Sequence, residues 1–99
     1  MLGMGPDGHT ASLFPNHPAL KNDDQGLVTY VKDSPQSPAE RVTLTLKTIN
    51  QAKYKLVVVT GANKSSIVKD VLKNKNPNYP ISQVKNPIWF LDKNAAKDL

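Results

Sequence analysis

Three features of the sequence predict an α/β fold. Tyr54-Lys-Leu-Val-Val-Val-Thr60 is a nearly unbroken β-branched run, the pattern of a parallel strand covered on both faces. Gly61 ends that run, and Ile67, Val68, Val71 and Leu72 then recur at helical spacing with lysines between them, so strand, glycine and helix make half of a βαβ unit. At the head of the chain, Gly3-Met-Gly-Pro-Asp-Gly8 reads as a turn at the C-terminal edge of such a sheet.

The remaining elements can be taken in chain order. After the glycines, Thr10-Ala-Ser-Leu-Phe14 is expected to form one helical turn that Pro15 stops. Asn16 to Gly26, with Pro18 and Asp23-Asp24, carries no apolar period and is expected to be surface loop, with His17 in solvent and without a partner. Leu27-Val-Thr-Tyr-Val31 is β-branched and aromatic, hence a strand. Pro35 and Pro38 then prevent ladder pairing. Arg41-Val-Thr-Leu-Thr-Leu46 alternates Val42, Leu44 and Leu46 with threonines, which predicts a half-buried strand with the aliphatic side inward, and a helical turn is expected from Thr48 to Ala52. The helix after Gly61 is expected over 62–73, with loop from Asn74 to Pro80. Ile88-Trp-Phe-Leu91 is a last strand, its Trp89 and Phe90 core residues, and Asp92 should cap a terminal helix reaching Leu99.

Composition narrows the function classes. Ninety-nine residues allow one domain, and with 38% hydrophobic residues the core is small. A chain of this size buries only about 65% of its unfolded surface, so its stability is expected to be marginal unless a partner segment covers part of it. The formal charge of +5 suits an anionic ligand but falls short of a nucleic-acid-binding arm. Zero cysteines leave no disulfide framework and no thiolate zinc site. The run Leu56 to Val59 is far below the roughly 20 apolar residues of a membrane span. No basic and then apolar leader opens the chain, so a cytoplasmic home is expected.

Chemistry could reside in three places. Gly3, Gly5 and Gly8 shape a loop that can hold Asp7 and His9 on one side of a tight turn, where a carboxylate orients an imidazole suited to moving a proton near neutral pH. These glycines satisfy G-x-G-x-x-G, but the strand, helix and distal acid of a dinucleotide site are missing. At Thr60-Gly-Ala-Asn-Lys64, free backbone N–H groups, a helix N-terminus and Lys64 favour a phosphate, although a solvated lysine after a turn is an equal reading and the segment is no Walker loop. Arg41 could grip phosphate or carboxylate, or pair with Glu40 or Asp33 to fix the preceding loop.

Leu2-Gly-Met-Gly-Pro-Asp-Gly-His-Thr-Ala-Ser-Leu-Phe-Pro15 resembles the signature of the 6-phosphogluconolactonase family, LGxGxDGHTxSLFP. Further similarities occur in register at Asp33-Ser-Pro with Pro38, Arg41 to Leu46, Gly61 to Lys64 and Trp89 to Asp92. The resemblance implies the C-terminal portion of a Rossmann-like parallel sheet with flanking helices, residues 1–99 being the C-terminal part of a single domain whose N-terminal half is absent. It implies hydrolysis of 6-phospho-D-glucono-1,5-lactone to 6-phosphogluconate in the oxidative pentose phosphate pathway, with neither metal nor organic cofactor. His9 then falls on the water-activating histidine, Asp7 on its supporting aspartate, Lys64 on a phosphate-contacting lysine and Arg41 on a basic site residue. Gln36 stands where the family's SPKPP segment has lysine. The implied partner is a small phosphorylated sugar lactone, with no nucleic acid and no membrane, and the missing half or another chain is expected to cover the exposed sheet. The 99-residue chain alone is expected to be inactive. The alternatives are a glucosamine-6-phosphate deaminase-like enzyme, against which Thr10 to Pro15 speaks, and a non-catalytic phosphosugar-binding or interaction fragment.

Overall fold

The computed structural model describes residues 1–21 and 26–99, so Asp23 and Asp24 of the expected loop lie outside the described residues. Its elements are α1 (Pro18–Lys21), β1 (Val28–Val31), β2 (Arg41–Leu44), α2 (Leu46–Gln51), β3 (Leu56–Val59), α3 (Ser65–Leu72) and β4 (Ile88–Leu91). Short 3-10 turns lie at Ala62–Lys64 and Pro80–Gln83.

The β-branched run forms β3, which pairs in parallel with β4 from Leu56 opposite Ile88 to Val59 opposite Leu91. On its other edge Leu2 makes a parallel bridge to Val57, donating its N–H to the Leu56 carbonyl (2.7 Å) and accepting from the Val58 N–H (2.9 Å). The glycine loop therefore leaves the C-terminal edge of the sheet, where a site in an open α/β fold belongs. Val57 and Val59 are buried in one cluster with Met4, Leu13, Val68 of α3 and Ile81. The opposite face is open, for Val58, Ile88 and Phe90 are exposed. The expected cover on both faces of β3 is thus present on one, and of the two aromatic residues in β4 Trp89 packs on the core while Phe90 does not.

The first hairpin shows a larger departure. β1 and β2 pair antiparallel, Val28 opposite Leu44 and Val31 opposite Arg41. Alternation is as expected, but the phase is inverted. Thr43 is buried, whereas Val42 is 75% and Leu44 47% exposed, joined on that face by Val28 and Tyr30. The reason is hydrogen bonding: the Thr43 hydroxyl accepts the Ser12 N–H (3.0 Å) and donates to the Leu44 carbonyl (2.9 Å), ties that valine cannot make. Thr45 ends β2 two residues early by capping α2, its hydroxyl accepting the Thr48 N–H (3.2 Å).

Two helical expectations are also corrected, and a helical turn stands where loop was expected. Thr10 to Phe14 is a turn closed by a Thr10–Leu13 bridge, because Ala11 takes a left-handed φ of 51° and the Ser12 N–H is drawn to Thr43. The helical turn comes instead at α1, where Ala19 and Leu20 are buried. At the C-terminus Asp92 does cap, accepting the Ala95 N–H (2.8 Å), but residues 93–98 form turns in place of a helix.

Candidate active site

Leu2 pins the chain to the sheet, and the backbone then doubles back through the glycines. Gly5 donates its N–H to the His9 carbonyl (2.8 Å) and accepts from the Gly8 N–H (3.0 Å). This closes a tight loop around Pro6 and Asp7. The imidazole of His9 lies directly against Gly5, so that a Cβ there would overlap the ring. Gly8 has a φ of +80°, a conformation that side chains with a Cβ disfavour. Gly3 is different, since the space beside it is open, and its part in the loop is a carbonyl that accepts the buried Thr10 hydroxyl (2.9 Å).

Asp7 and His9 meet as their spacing predicts. Asp7 Oδ1 accepts both the backbone N–H of His9 (3.1 Å) and the ring Nδ1–H (2.5 Å). A carboxylate only accepts, so Nδ1 of the neutral ring carries the proton and Nε2 the lone pair. Nε2 has no hydrogen-bond partner among the described residues, and the ring lines an open cleft with Gly3, Met4, Gly5, Thr10 and Ala11. The other flank of the imidazole rests on Phe14, ring centres 4.6 Å apart. That arrangement leaves one basic nitrogen, unpartnered among the described residues, on a side chain that lines a cleft.

Lys64 comes to the same loop from far along the chain. Its ammonium donates to the Met4 carbonyl (2.5 Å), so neighbouring residues, Met4 and Gly5, touch Lys64 and His9. An ammonium has three N–H donors, which leaves others for a ligand. The phosphate expected on the backbone of the Gly61 turn is a different matter. Gly61 has a φ of +98°, which glycine adopts without strain, but its N–H already donates to the Asp92 carboxylate (3.1 Å to Oδ1). A carboxylate occupies the anion position at that turn, and Lys64 alone is turned toward the glycine loop.

Arg41 lies over the Phe14 ring, 5.5 Å from its centre, on the aromatic that also supports His9. It pairs with neither Glu40 nor Asp33. Instead Nε donates to the Pro38 carbonyl (3.0 Å), and Nη2 donates to those of Ser37 (3.0 Å) and Gln36 (3.3 Å). Arg41 thus shapes the 36–38 loop, with Nη1 unpartnered among the described residues.

His17 was expected in solvent, yet both its nitrogens are engaged. Nδ1 accepts the Ala19 N–H (3.0 Å), capping α1, and Nε2 donates to Asp33 (2.7 Å). The Asp33 carboxyl is held below its ordinary value chiefly by that hydrogen bond. Sequence reasoning also passed over Tyr79, which lies against Gly8, and Asp70, which accepts the Tyr79 hydroxyl; an aspartate among the lysines of an amphipathic helix reads as solvated surface.

The model of the family described as glucosamine-6-phosphate isomerases/6-phosphogluconolactonase matches residues 1–89. Over its whole length the chain is 45% identical to a probable 6-phosphogluconolactonase 5 of Arabidopsis thaliana, covering 40% of that protein. Over 98% of its length it is 41% identical to the 6-phosphogluconolactonase of Homo sapiens, covering 39% of that protein. Among solved structures, the 6-phosphogluconolactonase from Trypanosoma brucei matches 99% of this chain and 40% of its own with a TM-score of 0.79 at 35% identity. A monomeric glucosamine-6-phosphate deaminase shares the fold, with a TM-score of 0.72 at 20% identity. The chain spans about 40% of the length of the Arabidopsis relative. Sequence motif, sheet topology and these likenesses agree, and the chain belongs to the glucosamine-6-phosphate isomerase/6-phosphogluconolactonase family.

Proposed function

We propose that these residues supply the acid–base pair for hydrolysis of 6-phospho-D-glucono-1,5-lactone, as the names of the relatives suggest. The observation that carries this reading is the Asp7–His9 pair, with Nδ1–H tied to carboxylate and Nε2 left at the cleft. His9 Nε2 takes a proton from water as the water oxygen bonds to the lactone carbonyl carbon. The ring C–O bond then breaks and its oxygen recovers that proton, giving the open-chain acid. Asp7 fixes the tautomer and balances the imidazolium that forms between the two transfers. Lys64 holds the substrate phosphate, and Arg41 adds positive charge beside it.

The apolar faces support a second element of the proposal. Val28, Tyr30, Val42 and Leu44 on the hairpin, with Val58, Ile88 and Phe90 on the parallel sheet, are exposed together. Surfaces of this kind call for cover by a further protein segment, and that segment completes the substrate cradle. The 99 residues alone are accordingly expected to be inactive.

A chimera tests the reading. Residues 1–99 would replace the segment they align with in the Arabidopsis relative, and lactone hydrolysis would be followed above the spontaneous rate. Turnover that disappears with His9→Ala is expected. A chimera that folds but hydrolyses no lactone, or that releases ammonia from glucosamine 6-phosphate instead, would overturn it.

A further inference from the structure

Gly8 is the only residue between Asp7 and His9, so the torsions at Gly8 decide whether carboxylate and imidazole meet. Residues 79–81 grip it from two directions. The Tyr79 ring lies on the Gly8 Cα, where an added Cβ would come within 2.9 Å of Tyr79 Cβ and Cγ. Two residues on, Ile81 donates its N–H to the Gly8 carbonyl (3.1 Å). Tyr79 is itself anchored, because its hydroxyl donates to Asp70 Oδ2 (2.8 Å) on α3. Asp70 is held in turn by Asn76 Nδ2 on Oδ2 (2.9 Å) and Asn74 Nδ2 on Oδ1 (3.1 Å).

We infer that Tyr79, anchored by Asp70, is a positioning residue for the Asp7–His9 pair, an inference that rests on the reading of His9 as general base. The same helical segment holds the glycine loop at both ends, through Lys64 on the Met4 carbonyl and through Asp70 and Tyr79 on Gly8. If Tyr79 lets go, Gly8 keeps only its backbone bonds to Gly5 and Ile81, its torsions are less restrained, and Oδ1 can part from Nδ1. The ring then no longer has its proton fixed on Nδ1, and the lone pair no longer faces the cleft at every turnover.

Side-chain ¹⁵N spectra of the 99-residue chain, recorded at a pH of about 8.5 where an ordinary imidazole is neutral, read this without any activity. The chain has two histidines, and His17, whose proton sits on Nε2, serves as the internal control for the fold. In Tyr79→Phe the ring stays on Gly8 but the link to Asp70 is cut, and Tyr79→Ala removes both. The His9 nitrogens should move toward the averaged values of a mixed tautomer in Tyr79→Phe and further in Tyr79→Ala, with His17 unchanged. In the chimera, kcat of Tyr79→Phe should fall about tenfold at unchanged KM, short of the roughly 100-fold that a misplacement of about 1 Å can cost. Should Tyr79→Ala lose the His17 pattern and hence the fold, Tyr79→Phe and Asp70→Asn decide. His9 signals identical to the parent in both, with His17 intact, would overturn the inference. A parent chimera without lactonase activity would sink the functional reading alone, since the spectra would still report on positioning.

Discussion

Among the described residues the molecule holds two His–Asp pairs of similar length and opposite use. His9 gives Nδ1–H to Asp7 and leaves Nε2 bare beside a cleft. His17 gives Nε2–H to Asp33, and its Nδ1 is consumed in capping α1. A proton acceptor needs a lone pair that water can reach, and only the first pair offers one. The difference originates in the backbone: glycines on both sides of Asp7 let the loop fold onto the ring, whereas Pro18 starts a helix whose first N–H, that of Ala19, finds the His17 ring. A carboxylate beside a histidine is therefore no sign of catalysis until the second nitrogen is traced.

The strongest way to break this contrast is to remove each ring in the chimera. His9→Ala should cost about 10²- to 10⁴-fold in turnover, the range for losing a general base, while His17→Ala keeps turnover near the parent value. Equal losses would erase the distinction between the pairs. Next in size is Lys64→Ala. A phosphate is held alike in ground and transition states, so KM should rise roughly tenfold or more and kcat should change less, as for loss of a charge-assisted hydrogen bond. A fall in kcat at constant KM would instead put Lys64 at the reacting carbonyl. His17→Ala should then show in stability what it does not show in rate. Losing a helix cap costs about 1 kcal/mol, measured by urea unfolding of the 99-residue chain, and an unchanged midpoint would mean that α1 does not need the His17 ring.

The smallest effect is a pH window. Hydrogen bonds from Asn74, Tyr79 and Asn76 hold the Asp70 carboxyl below its ordinary 3.8, and the bond to Asp70 raises the Tyr79 hydroxyl above its ordinary 10.0. A depressed carboxyl contributes stability above its unfolded value that is lost as pH falls through the folded one. A raised hydroxyl contributes below its unfolded value and loses this as pH rises through the folded one. The stability gap between the parent and Tyr79→Phe should thus be full from about pH 4 to 10 and close outside that range. No gap in that window would leave the ring packing, and not the hydrogen bond, as the role of Tyr79.

Much of this was legible in the residues, and the misses share a cause. β3 and both hairpin strands arise from runs rich in β-branched residues, and β4 from a short apolar run, so that their existence, though not their burial, is local in origin. Period, however, does not set phase: Val42 and Thr43 differ little in shape, and only the distant Ser12 N–H makes the threonine the inward residue. Distance in sequence hid the rest. Asp7 and His9 are two residues apart and were found; Tyr79 grips Gly8 from 71 positions away, and its anchor is an aspartate on the polar side of a helix. The expected helix at Thr10 to Phe14 failed because Ala11 adopts a backbone conformation that no helix allows, set by tertiary ties on both sides of it.

The most direct test of the central claim is the protonation pattern of the two rings in the unmodified chain. Long-range ¹H–¹⁵N correlation distinguishes a nitrogen that carries hydrogen from one that carries a lone pair, and both histidines can be read in one spectrum. His9 should show hydrogen on Nδ1 and a lone pair on Nε2, and His17 the reverse. A His9 ring with its proton on Nε2, or averaged between the two nitrogens, would mean that Asp7 does not fix it and that the bare base at the cleft does not exist.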